Sequence, residues 1–236
     1  MSHIHQAAIF CQVCIGYLPP GSFAELHKMG NSLFRSLSTA AVKERVPLDV
    51  LRPRLQSALP ARLRLRDWKM AYSSKRDGIS LRSLYRAASR EAGAKNGSSA
   101  ESLLFVRDSR GNAFGAFATE PWRVHQRYYG TGESFVFTVH DESSSAASEK
   151  TADDAKKQND GVVAFRWSQR NDYFMFGRAD CAAVGGGNGF ALWLDEELLR
   201  GNSAPSETFD NPCLSGGVKD FQIVYVELWT FAARNA

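Results

Sequence analysis

Apolar positions along this chain follow two different periods. Leu48, Leu51, Leu55 and Leu59 recur three and four residues apart, which places them near one face of a helix. Pro53 lies in that stretch and predicts a helix start or a kink there, because proline lacks the N–H and crowds the preceding turn. Trp68, Met70 and Tyr72 then alternate with Lys69, Ala71 and Ser73, the pattern of a strand with one wet face. Arg76-Asp77-Gly78 reads as a turn. Ser80 suits a helix N-cap, Leu81, Leu84, Tyr85 and Ala88 form an i, i+3, i+4, i+7 stripe, and Gly93 marks the end.

From residue 103 the period becomes that of strands. Residues 103–107 and 113–118 flank Asp108-Ser109-Arg110-Gly111-Asn112, a hairpin loop. Strand patterns follow at 133–139, 162–168, 173–176, 190–195 and 221–230. In the last of these Val224, Val226 and Leu228 oppose Phe221, Ile223, Tyr225 and Trp229, so both faces are apolar and the strand should lie central and covered. Hairpin-length connections favour antiparallel pairing over crossovers. The fold class expected is α+β: a two-sheet antiparallel β-sandwich with flanking helices, all of them early in the chain.

Two glycine stretches punctuate these strands. Tyr128-Tyr129-Gly130-Thr131-Gly132-Glu133-Ser134 leads into Phe135-Val136-Phe137, and Gly185-Gly186-Gly187-Asn188-Gly189 leads into Phe190-Ala191-Leu192-Trp193-Leu194. Glycine permits positive φ and lets another segment approach closely, so tight turns and close packing explain both.

Two segments fall outside the strand pattern. Residues 140–161 are rich in Ser, Ala, Asp and Lys and hold no Phe, Tyr or Trp. They cannot bury enough apolar area to offset their ordering entropy, so a mobile insert is expected at about 141–159. Residues 1–47 read as an N-terminal helical extension to one domain spanning 48–234. The apolar run 7–18 is too short to span a bilayer. Met1 to Gln6 contains no Lys or Arg, unlike a secretory n-region. A mitochondrial transit peptide remains open, with no acid before Glu25 and with Arg35, Ser36, Ser38 and Lys43 in a plausibly amphipathic stretch. Cys11 and Cys14 make a Cys-x-x-Cys pair without the flanking strand and helix of a redox motif or a second pair for zinc, so two unpaired thiols and no bound metal or cofactor are expected.

Composition is that of an ordinary globular chain, 44% hydrophobic and 23% charged over 236 residues. Four cysteines without a framework spacing point to a reducing compartment, here the cytoplasm. The net charge of +4 is unevenly spread. Residues 45–92 hold 12 Lys/Arg against 4 Asp/Glu, and the remainder is mildly acidic. Arg82, Arg86 and Arg90 recur four apart on one side of the predicted helix, so they can meet one acidic surface together or form a solvated face.

Recognisable catalytic signatures fail on inspection. Gly130-Thr131-Gly132-Glu133-Ser134 lacks the Lys-Ser/Thr ending of a phosphate-binding loop, and Ser134 is not in a Gly-x-Ser-x-Gly elbow. Gly185 to Gly189 precedes a strand, so it offers a pyrophosphate no helix N-terminus. A His125–Ser134–Glu133 constellation can be drawn, although strand alternation sends Ser134 and Glu133 to opposite faces. Glu227, in a strand that reads as buried, needs a partner such as Arg166 or has a perturbed acidity.

Several segments, in this order, resemble the TLDc domain of the oxidation-resistance proteins, the nuclear-receptor-coactivator-7-like proteins and the TBC-domain proteins related to Skywalker. They are Leu59-Pro60-Ala61-Arg62, Trp68-Lys69-Met70-Ala71-Tyr72-Ser73, Asp77-Gly78-Ile79-Ser80-Leu81-Arg82-Ser83-Leu84-Tyr85-Arg86, Phe114-Gly115-Ala116-Phe117, the 129–135 stretch, Phe165-Arg166-Trp167, the second glycine cluster and Val226-Glu227-Leu228-Trp229. The resemblance departs from the family at the extension, the insert and Gly216-Gly217. It implies a non-enzymatic interaction module that protects against oxidative stress, binding the V1 sector of the vacuolar-type proton ATPase and regulating its assembly. No catalytic residue or cofactor comes with it. Tyr129, Gly130, Gly132 and Glu133 are the matching surface stretch, to which Arg82, Arg86 and Arg90 add a basic face. No nucleic acid is expected as a partner. A place at endomembrane surfaces would then come through the pump. The alternative is an enzyme of redox or hydrolytic type, resting on the cysteine pair and a few carboxylates.

Overall fold

The computed structural model describes residues 48–93, 99–140 and 161–233. The expected extension, the 141–159 insert and the Cys11–Cys14 pair lie outside the described residues.

Among the described residues, three α-helices precede the strand-rich part. Helix α1 spans Leu48–Ala58 and carries Pro53 in its interior, so the proline neither starts nor ends it. Leu51, Leu55 and Leu59 are fully buried, as their spacing predicts. A single 3-10 turn, Ala61–Leu63, leads into β1, Asp67–Ser73. The expected turn at Arg76-Asp77-Gly78 is a short helix, α2, Ser74–Asp77, ended by Gly78 at φ 85°. Helix α3 spans Leu81–Ala92. Ser80 sits at its N-cap in extended conformation but its side chain makes no capping bond, and Leu81 N–H donates instead to Glu196 O at 2.8 Å.

Nine further strands follow among the described residues: β2 (Ser102–Asp108), β3 (Ala113–Ala118), β4 (Phe135–Val139), β5 (Val162–Arg166), β6 (Met175–Gly177), β7 (Cys181–Val184), β8 (Leu192–Asp195), β9 (Arg200–Asn202) and β10 (Asp220–Ala232). Every pairing among them is antiparallel. The α+β class and the antiparallel character therefore hold. The two separate sheets expected from the sequence are instead one hydrogen-bonded path, β5-β4-β3-β2-β10-β9-β8-β7-β6, with β1 also on β10. The cause is the length of β10. Its first residues, Asp220 to Gln222, pair with β9, and its later ones pair with β2 and β1. A register shift between Ile223 and Tyr225 marks the change of neighbours.

Alternation along the central strands feeds two apolar clusters. Phe105, Phe117, Phe135, Phe137 and Phe231 join Leu51, Leu55 and Leu59 of α1. Leu104, Val106, Phe114, Val136, Val226 and Leu228 join Leu81 and Leu84 of α3, together with Ala182, Val184, Leu192 and Leu194 from the far half of the path. Strand β10 is thus central and covered on both faces, but without the strict alternation expected: Phe221 and Ile223 join Val226 and Leu228 in one cluster, because the register shift between Ile223 and Tyr225 breaks the two-residue period. No helix of the described residues is long and apolar enough to cross a membrane.

Candidate functional site

The glycine turn between Trp122 and β4 is held from several sides. Tyr129 exchanges backbone hydrogen bonds with Met175, N to O at 3.0 Å and O to N at 2.9 Å. Gly130 N–H donates to Glu120 Oε1 at 3.0 Å and Thr131 N–H to Thr119 Oγ1 at 2.9 Å. Gly130 has φ 100°, a conformation that side chains resist, and so needs glycine on backbone grounds. Gly132 is glycine for a different reason: a Cβ there would meet the Trp167 ring at 2.3 Å.

Tyr129 and Glu133 do not stand free on this turn. The Tyr129 ring is only 7% exposed. Its hydroxyl accepts from Arg123 N–H and donates to Arg123 O, both at 3.2 Å, and the Arg123 guanidinium lies over the ring at 4.5 Å. Burial raises the pKa of its phenol, making it a weaker acid. Glu133 takes two bonds from Arg62, Nη1 to Oε1 at 2.8 Å and Nη2 to Oε2 at 2.6 Å. The same guanidinium reaches Glu101 Oε1 from Nη2 at 2.8 Å. Hydrogen bonding to Arg62 holds the Glu133 carboxyl below its usual range. Arg62 closes the Leu59-Pro60-Ala61-Arg62 segment, so this ion pair ties that segment to the glycine turn, a link no spacing in the sequence discloses. The solvent-facing part of the turn is Thr131 and Glu133, with Gly130 and Gly132 half-buried.

Helix α3 presents Arg82, Arg86 and Arg90 to solvent, opposite its buried stripe. Arg82 and Arg86 have no polar partner among the described residues. Arg90 is tied down: its Nη2 donates to Ala71 O at 3.3 Å, and its Nε lies 3.8 Å from Glu91 Oε1. Arg76 Nη2 also donates to Ala71 O, at 3.2 Å. Buried Glu91 takes Lys69 Nζ at 2.8 Å. These groups brace β1, which among the described residues pairs only with β10.

The three-residue constellation is not assembled. His125 Nδ1 lies 2.7 Å from Arg127 O, Ser134 Oγ is 3.2 Å from Thr119 Oγ1, and Glu133 is committed to Arg62. Glu227 is 4% exposed and finds its partners on its own strand rather than in Arg166. The Tyr225 hydroxyl and the Trp229 indole N–H, the latter at 2.9 Å, donate to its two oxygens. Residues two apart on a strand share a face, which makes this chelate possible. Burial, and then the Glu227 carboxylate, push the Tyr225 phenol up to about 12. Arg166 instead donates to Ala58 O at 2.8 Å and stacks over Phe135.

Residues 48–232 match the TLDc domain. Nuclear receptor coactivator 7 of Gallus gallus is 37% identical over 179 residues, 75% of this chain and 17% of that protein. Oxidation resistance protein 1 of Rattus norvegicus is 36% identical over 190 residues, 78% of this chain and 19% of that protein. The Homo sapiens oxidation resistance protein 1 shows the same identity and coverage. The chain therefore spans less than a fifth of the length of these relatives. The domain match covers the helices, all ten strands and the glycine turn described above, and on that ground the chain belongs to the TLDc domain family.

Proposed function

We propose that this chain is a non-enzymatic interaction module that serves protection against oxidative stress by binding the V1 sector of the vacuolar-type proton ATPase and regulating its assembly. The observation that carries the reading is the pair Arg82 and Arg86, exposed on one face of α3 with no internal partner among the described residues. Likeness to proteins named for oxidation resistance supports the stress-related role. Two guanidinium groups four residues apart can meet one acidic surface together. The glycine turn adds a rigid surface beside Glu133, with Tyr129 and Arg62 holding its shape. Such a module would work in the cytoplasm and reach endomembranes through the pump. The hydrolytic alternative loses its best constellation, since His125, Ser134 and Glu133 each bond elsewhere.

The test is association of the purified chain with purified V1 sector at two salt concentrations. Arg82→Glu with Arg86→Glu is the informative variant, because Arg90 also braces β1. Rim charges act mainly on encounter, so association should slow by about tenfold at low salt while melting stays unchanged. Absence of V1 binding by the folded wild type, or equal binding by the variant, would sink the proposal.

A further inference from the structure

Leu65 is the most exposed large apolar side chain among the described residues, at 78%. It is displayed on a stiff support. Leu63 N–H donates to Pro60 O at 2.9 Å, Arg64 N–H to Ala61 O at 3.3 Å and Arg66 N–H to Leu63 O at 3.1 Å. The Gln56 side-chain amide donates to Arg64 O, and Arg64 Nε donates to Leu59 O at 2.9 Å. Beside Leu65 lies a cavity of about 280 Å³ lined by Arg52, Gln56, Arg64, Leu65, Arg66 and Asp67. The Arg52 guanidinium is positioned there by stacking 5.4 Å over Trp68. An apolar side chain held out into water between arginines adds little to the core.

We infer that the turn at 62–66 is a membrane contact, in which Leu65 enters the acyl boundary of an anionic bilayer while Arg52 and Arg64 hold phospholipid phosphates. Charge complementarity favours this occupant: the cavity beside Leu65 is lined by Arg52, Arg64 and Arg66 against a single acid, Asp67. A protein partner would need a cluster of apolar contacts around its anchor, whereas the neighbours of Leu65 in the cavity wall are polar or charged. One protruding apolar group beside several arginines suits a surface of phosphates over hydrocarbon. The contact is separate from the V1-binding reading and stands without it.

The test is sedimentation of the full chain with vesicles of phosphatidylcholine alone and of phosphatidylcholine mixed with phosphatidylserine. Binding should require the anionic lipid and weaken with salt. Leu65→Ser should lower it by at least about tenfold with no change in melting, since the side chain is solvated. Leu65→Trp should raise it, because indole favours the interface. Arg52→Glu should lower it by about fivefold or more; Arg64 is left in place in this series because its Nε bond to Leu59 O braces the turn. Wild-type binding to neutral vesicles alone, or undiminished binding by Leu65→Ser, would overturn the assignment. Capture by immobilised poly-glutamate without any vesicle binding would overturn it too, and give the face to an acidic protein.

Discussion

Replacing Gly132 by alanine probes whether the glycine turn is set by packing or by backbone freedom. Gly132 is not among the positive-φ glycines, so alanine incurs no left-handed strain there. The new Cβ would lie 2.3, 2.7 and 2.9 Å from three atoms of the Trp167 ring. To restore ordinary contact the ring must withdraw by about 1 Å. The ring is held by its N–H bond to Asn171 O at 2.7 Å and by edge-on contact with Phe174 at 5.4 Å. Losing the hydrogen bond costs about 1 kcal/mol. Losing the ring contact costs about 0.5–1.5 kcal/mol. Because Trp167 is 38% exposed it can escape outward, which caps the total at about 2.5 kcal/mol. Urea unfolding followed by far-UV circular dichroism should report that loss for Gly132→Ala. In a Trp167→Ala background the same substitution should cost only a few tenths of a kcal/mol, so the pair is strongly coupled. Equal costs in the two backgrounds would refute the packing account and return the requirement to the backbone.

Gly115→Ala should be the harsher change, about 3 kcal/mol by the same unfolding assay, because its Cβ would sit 1.9 Å from Leu104 O and a ladder carbonyl cannot step aside; a loss under about 1 kcal/mol would contradict this. Arg62→Gln should flatten the acid limb of stability. The folded Glu133 carboxyl is depressed by Arg62, so its contribution is full above the ordinary carboxylate range and is lost as pH falls through the lowered value. Half-exposure of both partners keeps that contribution below about 1 kcal/mol, and an unchanged acid midpoint would count against it. Glu227→Ala should cost about 3 kcal/mol in urea, because it strands the Tyr225 hydroxyl and the Trp229 N–H. In Glu227→Gln the Tyr225 phenol should titrate lower yet stay above its ordinary value, since burial is the larger cause; ultraviolet difference titration reads it, and no movement at all would remove Glu227 from the account.

Periodicity carried much of the architecture. Spacing of Leu51, Leu55 and Leu59 named a buried helix face, and Phe135, Val136 and Phe137 named opposite faces of β4, which go to different clusters. Short strands were illegible: Cys181–Val184 and Arg200–Asn202 are too brief to show a period, and Ala182 and Ala183 carry little β preference. Sheet connectivity was illegible for another reason. A strand's sequence records which face each residue takes but not which neighbours its edges bond, so the change of partner within β10 left no trace beyond its length.

The same limit explains the candidate site. Spacing put Arg82, Arg86 and Arg90 on one helix face, and they share it. It could not say that Ala71 O, nineteen residues upstream of Arg90, waits beside the last of them. Arg90 therefore divides its charge between β1 and solvent, and reversing it would confound loss of binding with a loosened sheet edge. Glu133 presents the mirror case. Read alone on a glycine turn it resembles a free acidic contact, yet Arg62 takes both its oxygens from a segment seventy-one positions away. Long-range pairs of this kind convert apparent surface charges into supports, which leaves Arg82 and Arg86 as the unencumbered cations on the α3 face. An acidic partner should accordingly discriminate those two positions more sharply than Arg90, and single reversals at each can rank them.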